Sequence, residues 1–382
     1  MSNDQLGKLG SGVKKALTSS ILLSILSAFA VGAVLLLLTG ANPIDGYRAM
    51  LEGALGTGLG LANTIARATT IICFALAIAV AFRAGVLNLG TEGQAVLGAL
   101  TGGLVALYMP GPGFLVLLAS LATAIITGAA WGYLAAFLQN VLNVPILIST
   151  LLLNYPARFY SSWLIRFKLD DPTTDLSASA QIAPDRLLQT FVVRGSDQAK
   201  ELAAAYGGQS YLTAFLTNVN WGLVLVIALL AGIIFLNSRT RYGFESGLAG
   251  QNAEFTRYAG VQPSRLTTKT MLLSGGIAGL AGVMLVLGAP NTRMLEGHVV
   301  TTGYAWTALL VTLLAAYRPL GTAISGLFFA AIIVGAAAMG RELGLSPQIS
   351  AIIQALVIIL IAFKVAIPKR KRRSEKRTEV TA

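Results

Sequence analysis

The chain has 382 residues, of which 55% are hydrophobic and 12% charged, and its mean hydropathy is +0.72. So little charge cannot cover a water-soluble globule, which places the chain among integral membrane proteins. A formal charge of +12 would suit a nucleic-acid binder, but the basic residues cluster as they do beside membrane spans, so no nucleic-acid partner is expected.

A helix needs about 20 mostly apolar residues to cross the hydrocarbon layer. Apolar runs of about that length, or somewhat shorter, fall at 21–39, 63–82, 88–109, 114–138, 144–163, 220–236, 269–289, 302–316, 321–340 and 348–366. The expected fold is an all-α polytopic membrane protein of about ten transmembrane helices. A cytoplasmic segment over 1–20 would precede one transmembrane domain over 21–366. Breakers place some of the cuts: Pro110-Gly111-Pro112-Gly113 precedes the fourth run, and Arg318-Pro319-Leu320-Gly321 precedes the ninth. The first run lacks a persuasive small-residue cleavage site and is read as a span that is retained.

Positive charge fixes the expected orientation. Lys8, Lys14 and Lys15 precede the first run, Arg239, Arg241, Arg257, Arg265 and Lys269 follow the sixth, and 367–382 form a basic tail. An even number of spans puts all three on one side, with both termini cytoplasmic. The loop 237–268 is then cytoplasmic. The long loop 164–219, in which acidic residues offset the basic ones, is extracytoplasmic. Its charge is permissive only, because long loops cross the membrane largely regardless of charge.

Cys73 is the only cysteine and His298 the only histidine, so neither a disulfide nor a Cys/His metal set is expected. His298 beside Glu296 reads as a solvated loop residue. There is no G-x-x-x-x-G-K-[ST] phosphate loop, no H-E-x-x-H and no G-x-S-x-G. An active transporter with this sequence would draw its energy from a partner or an ion gradient.

Two segments break the apolar pattern. The first, Phe82 to Gln94, places Asn88, Glu92 and Gln94 among glycines between apolar runs. Polar groups at membrane depth are costly unless they face protein or a water-filled cavity. Glu92 either faces such a cavity, pairs with Arg83 or caps a broken helix, and Asn88 and Gln94 either line a pathway or hydrogen-bond neighbouring helices. Position after Arg83, near the cytoplasmic end of a span, would relieve part of their cost at the interface. The second, Tyr242 to Val261, favours a short helix from Asn252 to Tyr258, capped by Asn252, ended by Gly260 and turned by Pro263. Gly98, Gly102, Gly275, Gly276, Gly279 and Gly282 recur at the small-residue spacing that lets membrane helices approach closely.

These residues resemble a known family: the inner-membrane permease subunits of bacterial binding-protein-dependent ABC importers, in the branch handling nucleosides, ribose and other simple sugars. Ala84 to Gln94 is similar to the family's A-G-x-x-N-I-G-x-E-G-Q, in a form closer to the nucleoside type. Pro145 to Tyr155 is similar to E-V-I-S-T-I-M-L-N-Y, and Tyr242 to Val261 to Y-G-F-R-x-R-A-V-G-x-N-x-x-A-A-R-Y-A-G-I. Gly303-Tyr304 and Pro319-Leu320-Gly321 follow in the family's order. The chain departs from the pattern at Glu245 and Gly247, where the family carries arginines, and at Pro145, where it carries glutamate.

The resemblance implies a type II-like ABC importer permease in a bacterial inner membrane, passing nucleosides between two permease subunits. It implies an extracytoplasmic solute-binding lipoprotein and an ABC ATPase as partners, with ATP bound by the ATPase and no cofactor on this chain. The altered arginines favour a second, non-identical permease. Gly250, Asn252, Arg257, Tyr258 and Gly260 are the implied ATPase-coupling residues. Asn88, Glu92, Gln94, Asn154, Tyr304 and Trp306 are the expected pathway residues, with Tyr304 or Trp306 offering a flat face to a ring. Arg158 and Arg166 would either dock the binding protein or snorkel to the interface. Ribose-like sugars and branched-chain amino acids are the alternative substrates. An ion-coupled secondary transporter is the alternative of another class, and it would call for two similar halves, which the sequence does not display.

Overall fold

The computed structural model describes residues 20–346, apart from 209, 289–291 and 301–302, together with 352 and 355. The expected tenth span, the N-terminal basic residues and the basic tail lie outside these. The described residues form helices α1 (Ser20–Leu38), α2 (Pro43–Leu51, continued by a π-turn over Glu52–Gly56), α3 (Gly58–Arg83), α4 (Thr91–Tyr108), α5 (Gly113–Leu142) and α6 (Ile146–Phe167). A long connection with α7 (Asp197–Tyr206) and α8 (Tyr211–Asn218) leads to α9 (Gly222–Arg239), α10 (Arg241–Gln251) and α11 (Ala253–Tyr258). The series ends with α12 (Pro263–Leu287), α13 (Glu296–Val300), α14 (Tyr304–Leu314) and α15 (Pro319–Glu342). Isolated β-bridges are the only extended pairings among the described residues.

Six described stretches are long and apolar enough to cross a membrane: α3, α5, α9, α12, the stretch from α13 through α14, and α15. Expected spans three and five are helical, as α4 and α6, but both carry polar residues that lower their hydropathy. Glu92 and Gln94 occupy the first turn of α4, and Asn154 and Arg158 interrupt α6. The eighth expected span is shorter than its apolar run suggests. Its regular helix, α14, has 11 residues and is about 16 Å long, half a bilayer core. Gly303 at φ +64° starts it, and Ala316 and Tyr317 at φ 48° and 62° turn the chain after it. Glu296 and His298, expected in a loop, lie on α13. The region 242–251, read as loop, is the helix α10, and the expected short helix follows it as α11.

The centre of the molecule is α12 packed between α4 and α5, with α3 alongside. Small residues make that crossing possible. A methyl group at Gly98 would lie 2.5 Å from the Gly279 Cα, one at Gly282 would strike the Ala95 carbonyl, and one at Gly128 would strike the Gly275 carbonyl. Without a hydrophobic drive between helices in lipid, such close backbone packing is the main source of association. The inner half of α3, from Ile71 to Phe82, is almost wholly buried and rich in alanine, with Ile72 the partly exposed exception.

The two ends of α3 meet different parts of the chain. At its Gly58 end lies the α6–α9 connection, where Tyr211 Oη donates to the Gly56 carbonyl at 2.9 Å and Ala214 and Val219 pack on Ala62. The same connection is held to the stretch before α13, with Arg293 pairing with Asp171 and also reaching the Ser179 carbonyl at 3.3 Å. At the Arg83 end lies α10.

Candidate translocation and coupling site

The turn between α3 and α4 is held by side-chain amides. Asn88 is fully buried. Its Nδ2 donates to Gln94 Oε1 at 3.0 Å and to Ser274 Oγ on α12 at 2.9 Å, and its Oδ1 accepts from the Gly90 N–H at 2.9 Å. Ser274 in turn donates to the Ala77 carbonyl at 2.7 Å. Asn154 joins α6 to the same turn, accepting from the Gly93 N–H at 2.8 Å and donating to the Leu89 carbonyl at 2.9 Å. Asn88, Gln94 and Asn154 therefore find their partners inside the protein. Satisfied amides in a low-dielectric interior hold one geometry firmly, because each broken bond leaves an orphan. Ser274 has no motif of its own in the sequence, and only the need of a buried asparagine for a partner points toward it.

Glu92 is paired with Arg158, not with Arg83: Arg158 Nη1 lies 3.9 Å from its Oε1. Trp306 offers its indole N–H to the same carboxylate. Asn88, Glu92 and Trp306 share the wall of a small crevice with Ile78 and Leu309. Arg166 pairs with Glu296 at 3.0 Å, and Ser162 donates to the other oxygen of that carboxylate at 2.8 Å. Tyr304 stands apart from Trp306. Its ring stacks on Phe74, with centroids 6.1 Å apart, and Arg67 lies over it at 5.7 Å. It faces a different cavity, of about 500 Å³.

The second motif returns to the first. Gly250 of α10 lies so close to the end of α3 that a methyl group on it would strike the Arg83 carbonyl and come within 3.4 Å of the Gly85 N–H. Gly85, at φ +75°, has the Gly250 Cα 3.4 Å from the place of its absent side chain. The Arg83 guanidinium reaches back over α10, donating from Nη2 to the Gly243 carbonyl at 3.4 Å. Gly247 lies beneath it, 3.1 Å separating Nη2 from the position a β-carbon would take. A second guanidinium at 247 would therefore stand beside that of Arg83. Glu245 pairs with Arg241 at 2.6 Å, and Tyr242 Oη hydrogen-bonds Thr270 Oγ1 at 3.0 Å.

Asn252 breaks the helix between α10 and α11 with extended backbone, and its carbonyl accepts from the Thr256 N–H at 3.1 Å. Arg257 and Tyr258 close α11, with Tyr258 91% exposed, and Gly260 at φ +82° turns the chain into Pro263 at the start of α12. An aromatic residue standing this far out, on a short helix between spans, is suited to a partner's groove.

The chain is similar to known transport proteins. The chain is 30% identical to a glucose ABC transporter permease protein of Haloferax volcanii, over 89% of this chain and 85% of that one. It is 28% identical to a nucleoside ABC transporter permease protein of Lactococcus lactis, over 92% of this chain and 93% of the relative. It is equally 28% identical to a guanosine ABC transporter permease protein of Bacillus subtilis, over 91% and 93%. Residues 60–362 match the family described as branched-chain amino acid transport system / permease component, a stretch that runs from α3 past α15 and contains both motifs. The chain, a multi-pass membrane protein, belongs to that permease family.

Proposed function

We propose that the chain is a transmembrane subunit of an ATP-driven importer, carrying nucleosides inward across the plasma membrane. On this reading about ten helices over 21–366 form the permease domain, both termini are cytoplasmic, 164–219 face outward and 237–268 face the cytoplasm. The chain is a conduit with no catalysis of its own. ATP is bound and hydrolysed by a partner ATPase, and an extracytoplasmic binding protein delivers the substrate.

The observation that carries the reading is the backbone contact of Gly250 with Arg83 and Gly85. Closure of an ATPase around α11, with Asn252, Arg257 and Tyr258 in its groove and Gly260 as the hinge, would push α10 as a rigid body. Gly250 passes the movement to the end of α3, and the Asn88–Gln94–Ser274 network carries it into α4 and α12. Glu92 and Trp306 then face the moving pathway, while Asn88, Gln94 and Asn154 hold its wall from behind. Gly247 and Glu245 give this subunit a docking surface unlike one with two arginines, which favours pairing with a second, non-identical permease.

The nucleoside reading draws on the form of the Ala84–Gln94 motif and on the two nucleoside-type relatives. Deleting the subunit from its native cell and measuring uptake of labelled nucleosides, glucose and branched-chain amino acids tests it. Loss confined to nucleosides is expected, and loss confined to a sugar or amino acid would overturn the assignment.

A further inference from the structure

One polar face remains outside the network described above. Asn63, Arg67 and Thr70 follow one another at helical spacing on α3, and Asn63 and Arg67 are exposed. A cation and an amide on an exposed face of a membrane helix do not face lipid at tolerable cost; they face water or protein. Here they line the cavity of about 500 Å³ together with Asn220, Tyr304 and Arg341, within the ~300–1,000 Å³ usual for small-molecule sites. A second cavity of about 320 Å³ adjoins it, sharing Asn63 and Ala66, and opens beneath the α6–α9 connection at Gln189, Thr190 and Arg194. The two form one recess at the Gly58 end of α3. Arg67 lies 16 residues from Arg83, about 24 Å along the helix, and so far from the coupling end.

We propose that this recess, and not the crevice at Glu92, is where the importer first holds its substrate, and that Arg67 and Tyr304 form a stacking and hydrogen-bonding subsite for a nucleoside base. The inference rests on the transport reading and adds the place and the recognition chemistry. Tyr304 is fixed from behind by Phe74, so its ring is a preset flat surface. The guanidinium that lies over this ring, 5.7 Å from its centroid, adds its own planar face and supplies donors for the carbonyl and ring-nitrogen acceptors of a base, while the amides of Asn63 and Asn220 suit ribose hydroxyls. The recess carries three arginines, Arg67, Arg194 and Arg341, and, among the described residues lining it, no carboxylate. An amino acid's carboxylate would find a guanidinium there, but its ammonium group would find no carboxylate partner among the described lining residues, whereas an uncharged nucleoside needs none.

The test uses the complete transporter in its membrane, and the native Cys73, being fully buried, gives little background. Asn63→Cys and Arg67→Cys are treated with a membrane-impermeant maleimide, with Ile126→Cys, on the exposed apolar side of α5, as the lipid-facing control. Labelling at 63 and 67, slowed by nucleoside, is expected. Alongside, Arg67→Gln and Tyr304→Leu are expected to raise the KM for import about tenfold, and Tyr304→Phe, which keeps the ring, to raise it less than Tyr304→Leu does. Unlabelled cysteines, or import unchanged in both Arg67→Gln and Tyr304→Leu, would overturn the inference. Failure of the unsubstituted transporter to import any nucleoside would sink the substrate reading instead, and the labelling would still decide where the aqueous recess lies.

Discussion

Gly250 of α10 rests against the carbonyl of Arg83, the last residue of α3, with no room for a β-carbon between them. The two segments that interrupt the apolar pattern, separated by about 160 residues of sequence, thus form one joint. Movement of α10 has a direct backbone route into α3, and through Asn88 and Ser274 into α12.

Filling that joint is expected to uncouple transport. Gly250→Val forces an isopropyl group against the Arg83 carbonyl, an overpacking that costs about 1–3 kcal/mol. Nucleoside uptake should fall about tenfold, and the ATP consumed per nucleoside imported should rise, measured side by side in proteoliposomes. An unchanged ratio with unchanged uptake would show that the joint carries no coupling.

The Asn88 network makes a second prediction. Asn88→Leu leaves the Gly90 N–H and the Gln94 amide without their buried partner, at roughly 1–3 kcal/mol for each orphaned group. Ser274→Ala removes one donor and one acceptor at the edge of the same network. Thermal unfolding in detergent should therefore show a larger drop in Tm for Asn88→Leu than for Ser274→Ala, and the reverse order would contradict the geometry.

Arg83 and Gly247 should be energetically linked. Gly247→Arg brings a second guanidinium under the first, and Arg83→Gln removes the charge it would meet. The double variant is expected to be more stable in detergent than the sum of the two single effects predicts, the sign of a relieved repulsion in a double-mutant cycle. Simple additivity would mean that Arg83 and a guanidinium at 247 do not interact.

Outside the candidate membrane-spanning helices, Asp171 sets a dependence on pH. The Thr173 backbone N–H and hydroxyl, followed by Arg293, hold its carboxyl down at about 2, below the ~3.9 of a free aspartate. A lowered folded-state value means stability that is fully present above about pH 4 and lost as pH falls toward 2. Asp171→Asn should lower Tm at neutral pH, and the gap from the unsubstituted protein should close over that acid window. A gap that stays constant with pH would deny the carboxylate its role.

Much of this architecture was legible in the sequence, for identifiable reasons. Long apolar runs announce α3, α5, α9, α12 and α15, and Pro-Gly turns place the starts of α5 and α15, because hydropathy and breakers are local signals. The motif glycines announce close packing, and Gly98, Gly279 and Gly282 do pack that way. What local signals miss is pairing. Nothing near Glu92 in sequence points to Arg158, since that pair depends on how α4 crosses α6. Tyr304 and Trp306, two residues apart, turn to different cavities because α14 rotates them by about 200°. Arg67 sits within an apolar run and escapes notice until the exposed face of α3 is seen. The half-length of α14 was hidden as well, because the left-handed turn at Ala316 and Tyr317 uses residues that ordinarily avoid it.

The most direct measurement is ATP-driven uptake by the purified transporter, rebuilt in liposomes with its ATPase, binding protein and second permease. The account predicts that nucleosides accumulate inside and stimulate ATP hydrolysis, while glucose and branched-chain amino acids do neither. Stimulated hydrolysis and uptake with a sugar or an amino acid, and none with any nucleoside, would contradict it.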